Sequence, residues 1–361
     1  MNWIGVDVGK VHCQICEISS TDEIWEARVP TQAERLKATF QPRPQARVLL
    51  ESSTESEWVA RILEGVGHEV VVADPNYAPM YSHRSRRIKT DRRDARALAE
   101  ACRVGAYRAA HRTSDPRRHV RALIAVRENL VRTRTRWILL TRALLRREGF
   151  RTRSGRAESF VERVLELQLS AELNEEVEPL LELLGPLNDQ IDDVDAQLAR
   201  LATADPAARS LMTMPGVGPI VALAFVATVD RVDRFRNAHQ LESYLGLVPR
   251  EWSSSETQRR GPITKTGSKR TRWLLVQTAR AVMRTPSRRT TRPLWEWGDR
   301  IGRRRSGRVG VVAVARRVVG ILYAMWRDGP EYNVTKVKGS AALLRTALSG
   351  LLRLLDDSRD R

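Results

Sequence analysis

Lys89-Thr90-Asp91-Arg92-Arg93-Asp94-Ala95-Arg96-Ala97-Leu98-Ala99-Glu100-Ala101-Cys102 is the stretch around which the rest of the chain can be placed. From Asp91 onward, Ala95, Leu98, Ala99 and Cys102 recur at the spacing of one helical face, so the segment reads as an amphipathic helix. Asp91 and Asp94 share a face of its first turn. Two carboxylates held together repel each other. They are satisfied either as a helix start, with Asp91 as cap and Asp94 in the first turn, or by a hard divalent cation.

Working outward toward the N-terminus, Asn2 to Lys10 (NWIGVDVGK) reads as a buried strand ending in a glycine turn, with Asp7 interrupting its apolar run. Strands follow at 11–19 and 24–29, then a short helix at 31–39 and an apolar strand from Arg47 to Leu50 that ends on Glu51. A helix at 55–66 and a strand at 68–73 complete an α/β pattern with mixed strand directions. Asp7, Glu51, Asp91 and Asp94 all fall at strand ends or a helix start, where ligand sites of such sheets gather. Gly5 to Lys10 is one residue short of a phosphate-binding GxxxxGK loop and is followed by Val11 instead of Ser or Thr. The same hairpin would suit an actin-like sugar kinase, but the acidic quartet and the basicity of the chain speak against that.

The 361 residues carry 62 Lys and Arg against 43 Asp and Glu, a formal charge of +19. Such a field suits a polyanion, with nucleic acid the default partner. Cys13, Cys16 and Cys102 form no disulfide framework and read as packing residues of a cytoplasmic protein. No leader is evident, and no apolar run approaches the length that spans a bilayer, so no membrane partner is expected.

Beyond the quartet, 116–149 reads as a long helix with an apolar stripe of Leu123, Val126, Leu130, Thr133, Trp137, Leu140 and Leu144. Its other face carries Arg121, Arg127, Arg132, Arg134, Arg136 and Arg142, which read as a nucleic-acid rail. Residues 157–203 turn acidic, and Leu187, Ile191, Val194 and Leu198 recur at heptad-like spacing, the pattern of a helical hairpin or coiled-coil arm. A basic region starts near 206. Its Met214-Pro215-Gly216-Val217-Gly218-Pro219 resembles a helix-hairpin-helix turn, with Gly216 and Gly218 letting a phosphate approach the backbone, or else an ordinary helix start with Pro at its first position. Ser253, Ser254 and Ser255 then precede a run containing Arg259, Arg260, Lys265, Lys269, Arg270 and Arg272, suited to holding a phosphate against a hydroxyl. Helices are expected at about 269–285 and 308–327, and a last one in the tail at 336–361.

Taken together, GVDVGK, LLESST, KTDRRDARALAE, MPGVGPIVA, YLGLVP, the serine turn and ITKTGSKRTRWLL resemble the DEDD transposases of insertion sequences, the bridge-RNA-guided recombinases related to pilin-gene invertases. The resemblance covers about residues 1–330. It implies a RuvC-like, RNase H-type mixed-sheet domain over 1–112, a basic helical linker over 113–155, a coiled-coil arm over 156–205 and a mainly α-helical transposase domain over 206–361. Asp7, Glu51, Asp91 and Asp94 would hold Mg²⁺, with Mn²⁺ as an alternative, and Ser254 would attack DNA to leave a phosphoserine link. Ser255 stands where the family usually has Gly, which makes Ser253 the alternative nucleophile. Lys10, Lys89, Arg92, Arg121, Arg127, Arg134, Gly216, Gly218 and the basic run after the serines would contact nucleic acid. The partners implied are double-stranded target and donor DNA, a structured guide RNA and further copies of the chain in a dimer or tetramer. Two other readings remain open: a metal-dependent junction nuclease that uses water, and a non-catalytic nucleic-acid-binding protein.

Overall fold

The computed structural model describes residues 1–81, 90–253, 258–285, 289–329 and 331–332. Lys89, Ser254, Ser255 and the tail helix expected at 336–361 lie outside the described residues. The chain divides into two compact units, Met1–Arg112 and Thr113–Arg361.

In the first unit, β1 (Asn2–Val8), β2 (His12–Ile18) and β3 (Ile24–Pro30) form an antiparallel meander. After α1 (Ala33–Phe40), β4 (Ala46–Glu51) returns parallel to β1, and after α2 (Ser56–Gly65), β5 (Glu69–Ala73) adds parallel to β4. The strand order is β3-β2-β1-β4-β5, a mixed five-stranded sheet consistent with an RNase H-like α/β domain. One face buries Ile4, Val6, Ile15, Val48 and Leu50 against Leu36 and Phe40 of α1 and Val59 and Leu63 of α2. The other is covered by α3 (Asp91–Val104), through Leu98, Ala101 and Cys102 against Leu49, and through Ala95 and Ala99 against Cys16 and Ile18. Covered on both faces, β1 and β4 read as nearly continuous apolar runs.

In the second unit, α4 (Asp115–Arg147) and α6 (Ala171–Ala204) pair with each other, with the short α5 (Phe160–Leu165) beside their tip. The pair is antiparallel: Arg127 meets Asp195, Arg134 meets Asn188, and Arg147 meets Glu176. The heptad-like seam of Leu187, Ile191 and Leu198 is buried within this chain, with α4 on one side, which is the helical hairpin that the spacing also allowed. Most of segment 113–155 is the helix α4 itself. The stripe expected on α4 is displaced by about one position. Val120, Ile124, Ile138, Thr141 and Leu145 are buried, whereas Val126 and Leu140 remain 51% and 48% exposed. Of the expected stripe, Leu123, Leu130, Trp137 and Leu144 do pack, partly buried, against the two cores of the second unit.

Two helices, α7 (Pro206–Leu211) and α8 (Pro219–Val229), follow, and α8 is buried from Ala222 to Val229 with α4, α6 and α7 around it. After α9 (Ala238–Tyr244) comes an antiparallel pair, β6 (Pro249–Ser253) and β7 (Gln258–Ile263). Three helices, α10 (Lys269–Arg284), α11 (Arg292–Arg304) and α12 (Gly307–Asp328), complete the description. At 22 residues, α12 is by length and composition apolar enough to cross a membrane, which corrects the expectation that no segment approaches that length. Here Val314, Val318, Val319 and Leu322 are fully buried in the core of the second unit, so the composition has a packing cause.

Candidate active site

The acidic residues are brought toward one edge of the sheet by strand register. Val6 pairs with Leu50 across the parallel β1 and β4 strands, and Asp7 and Glu51 follow directly on that pair. Side chains alternate along a strand, so Asp7 lies on the face of Gly5 and Glu51 on the face of Leu49. Both belong to the face covered by α3. Two contacts fix the direction in which α3 crosses. Cys102 near its end hydrogen-bonds the Arg47 carbonyl at 3.5 Å, at the start of β4, while Ala95 and Ala99 lie against Gly5. The beginning of α3, with Asp91 and Asp94, is thereby directed toward the ends of β1 and β4 that carry Asp7 and Glu51.

Gly5 makes this crossing possible. A Cβ there would lie 2.2 Å from both the Ala95 carbonyl oxygen and the Ala99 nitrogen, so helix and strand backbones meet where a side chain would stand. The cap of α3 differs from expectation. Thr90, not Asp91, is the N-cap: its hydroxyl accepts from the Arg93 amide at 3.3 Å, leaving Asp91 exposed at the first helical position. A β-branched hydroxyl one residue earlier serves the backbone and frees Asp91 for other work. Asp94 is 7% exposed.

Glu55 accepts a hydrogen bond from the Trp58 indole nitrogen. Burial pushes the Cys13 thiol above its ordinary value; the Thr31 hydroxyl opposes that rise, and the negative charges of Asp7 and Glu55 add to it. Glu55 sits in the loop after β4, and no sequence motif singled it out. Lys10 is exposed in the β1–β2 turn, and Arg92 is ion-paired to Glu26.

The basic candidates of the second unit separate into two groups. Arg272, expected to meet nucleic acid, is only 9% exposed and donates to the backbone carbonyls of Leu245 at 3.0 Å and Thr266 at 2.5 Å; it is a core strut, which corrects that expectation for this residue. Burial alone lowers its pKa. Along α4, Arg127 is paired with Asp195, and Arg134, with a side chain 12% exposed, with Glu158, so the rail is interrupted by the chain's own acids. Arg121 donates to the Thr113 hydroxyl at 3.0 Å and Arg270 is paired with Glu128. Arg259 is exposed on β7, where Arg260 also lies, and Lys265 and Lys269 flank the start of α10. Gly216 adopts φ +90°, as a glycine turn requires, and its carbonyl accepts from Thr278 at 3.2 Å. Gly218 caps α8 with open space where a Cβ would be.

Comparison with known proteins bears on both units. A model of the transposase IS116/IS110/IS902 family matches residues 208–293, and a DEDD transposase model of the IS110 kind matches residues 4–149. A probable family 20 transposase of Pseudomonas aeruginosa is 31% identical over 331 residues, which span 89% of this chain and 96% of that protein. The chain belongs to the IS110/IS116 family of transposases. The transposase is also 28% identical, across 91% of its own length, to the transposase for insertion sequence element IS1111A of Coxiella burnetii, 91% of which is covered. The same identity extends to the transposase for IS1328 of Yersinia enterocolitica, over 98% of that protein.

The DEDD class implies a divalent cation, and the donor chemistry of this transposase fits one: hard carboxylate oxygens from two adjacent parallel strands and a helix start. Among the described residues, no three acidic, histidine or cysteine side chains stand close enough to share an ion as placed. Backbone register supplies the convergence. Mutual repulsion opposes closure of the carboxylates on one point until a cation offsets it.

Proposed function

We propose that this transposase cuts and rejoins DNA through a serine nucleophile, with Ser254 as attacking group and Asp7, Glu51, Asp91 and Asp94 as the metal-binding acids, directed by a structured RNA that pairs with target and donor DNA. The observation that carries this reading is the convergence of Asp7, Glu51 and the start of α3 in a chain related along its length to insertion-sequence transposases. A bound divalent ion would polarise the phosphodiester and stabilise the charge that develops on it. The Ser254 oxygen would form a bond to phosphorus while the bond from phosphorus to the departing strand breaks. The serine gives up its proton and the departing sugar oxygen gains one. The ester keeps the energy of the cut bond, so attack by a second DNA end rejoins strands without a nucleotide cofactor. The +19 charge supports a nucleic-acid partner on a scale that suits RNA and DNA together.

The test is incubation of the full chain with Mg²⁺, RNA transcribed from the flanks of its element and matching DNA, followed by a denaturing gel. A protein–DNA adduct is expected with the wild type and absent from Ser254→Ala, Asp7→Ala and Asp94→Asn. Cleavage without an adduct would replace the serine by water as nucleophile.

A further inference from the structure

The register that aligns the acids continues across the sheet. Asp7 pairs with Gln14 of β2, and Gln14 pairs with Arg28 of β3, so Glu51, Asp7, Gln14 and Arg28 form one row at the same level. Side-chain alternation puts the whole row on the face of α3. The next row toward the sheet interior on that face is Leu49, Gly5, Cys16 and Glu26, mostly apolar and beneath α3. The row thus passes from two carboxylates through a neutral amide to a guanidinium. Gln14 and Arg28 also line a groove with Arg92 and Arg96, one turn apart on α3. Its charges are not balanced from within. Among the described residues of the first unit, most arginines lie beside a carboxylate, Arg43 on Glu17, Arg103 on Glu100 and Arg112 on Glu57 among them. Arg92 is held by Glu26, but Arg28 and Arg96 are exposed and have no carboxylate partner among the described residues. Arg28 has one side-chain contact there, the His12 ring nitrogen at 3.4 Å.

We infer that this groove holds the phosphodiester backbone of the DNA strand presented to the acids, with Arg28 and Arg96 on a phosphate neighbouring the one that reacts and Gln14 bridging the two. The inference rests on the proposed role of the acids. Adjacent strands lie about 4.8 Å apart, so Arg28 stands roughly 10 Å from Asp7, a span its long side chain shortens toward the spacing of neighbouring phosphates. A guanidinium suits a phosphate at that place because it donates to two oxygens at once. A cation any nearer would compete for the carboxylates, and the amide of Gln14 separates the two charges. Arg28 and Arg96 are therefore positioning residues that set which phosphate reaches the acids.

The experiment measures binding of the full chain to a labelled DNA duplex from the ends of its element over a series of salt concentrations, and to a labelled RNA from its flanks in parallel. The variants are Arg28→Ala, Arg28→Lys and Arg96→Ala, with Arg103→Ala as a control at the far end of α3. Loss of one phosphate contact is expected to weaken DNA binding about 3- to 10-fold and to lower the slope of log affinity against log salt by about 0.9. Arg28→Lys should recover the slope but not all of the affinity, and Arg103→Ala should change neither. An unchanged slope in both Arg28→Ala and Arg96→Ala, or a slope lost for RNA alone, would overturn the inference. Adduct formation is scored separately. A wild type that binds DNA with the full slope but forms no adduct would count against the serine and leave the groove standing.

Discussion

Replacing Gly5 by Ala adds a single methyl group at the point where β1 passes under α3. The new Cβ would stand 2.2 Å from the Ala95 carbonyl oxygen and the Ala99 nitrogen, where separations below 3.0 Å are essentially never found. Relief requires the helix to move away from the strand by about 1 Å, at an overpacking cost of about 1 to 3 kcal/mol. For a unit of this size that lowers the unfolding midpoint by about 10 °C. The helix that moves also carries Asp91 and Asp94, so the acids separate from Asp7 and Glu51, and a displacement of about 1 Å costs roughly 100-fold in rate. Thermal unfolding followed by circular dichroism, and adduct yield on a denaturing gel well below the midpoint, measure the two effects independently. Both neighbours are backbone atoms, so Ala99→Gly should not rescue Gly5→Ala. Wild-type stability and adduct yield in Gly5→Ala, or rescue by Ala99→Gly, would refute the close crossing and with it the placement of the α3 acids.

Arg272→Met removes the donors to the Leu245 and Thr266 carbonyls and should lower the stability of the second unit by about 1 to 3 kcal/mol, seen as an earlier urea midpoint. The salt dependence of its DNA binding should remain that of the wild type, because the guanidinium faces the protein. Burial pushes the Cys102 thiol up to about 12 and the Cys16 thiol to about 11, both from an ordinary value of 9.0. At pH 8 neither should react with iodoacetamide until the protein unfolds. The folded thiols keep their protons while unfolded ones ionise, so this stabilisation is complete below pH 9 and fades as pH rises toward 11 and 12. Cys102→Ala should flatten the alkaline loss in a pH series of unfolding midpoints.

Much of the first unit is legible in the chain because its signals are local. Val6, Val48 and Leu50 mark strands buried on both faces, and Ala95, Leu98 and Cys102 mark a helix with one buried stripe. The acids at strand ends could be singled out for the same reason. What escaped depends on partners distant in sequence. Gly5 looks like any turn-proximal glycine until Ala95 and Ala99 arrive over it. Asp91 is as good a cap by type as Thr90, and only the amide of Arg93 decides between them. The β6–β7 pair was hidden because Pro249, Gly261 and Pro262 break the alternation that identifies strands. Arg272 was hidden in a run of cations, where nothing local separates a buried donor from a solvent-facing one. On α4 the stripe of Leu123, Leu130, Trp137 and Leu144 marks one margin of the packed face, and its buried line, Ile124, Ile138 and Leu145, is fixed only by the helices that pack against it.

The pairing of α4 with α6 also says something about length. Its rungs step down one helix as they step up the other, from Arg127 with Asp195 through Arg134 with Asn188 to Arg147 with Glu176. A hairpin with such a ladder is modular. Matched excision of two helical turns from each limb keeps every remaining rung opposite its mate, whereas removing one residue from one limb rotates all that follows by about 100°. The reach of this limb can therefore be altered in paired steps, by an experimenter or by descent, without redesigning the helices on which it stands.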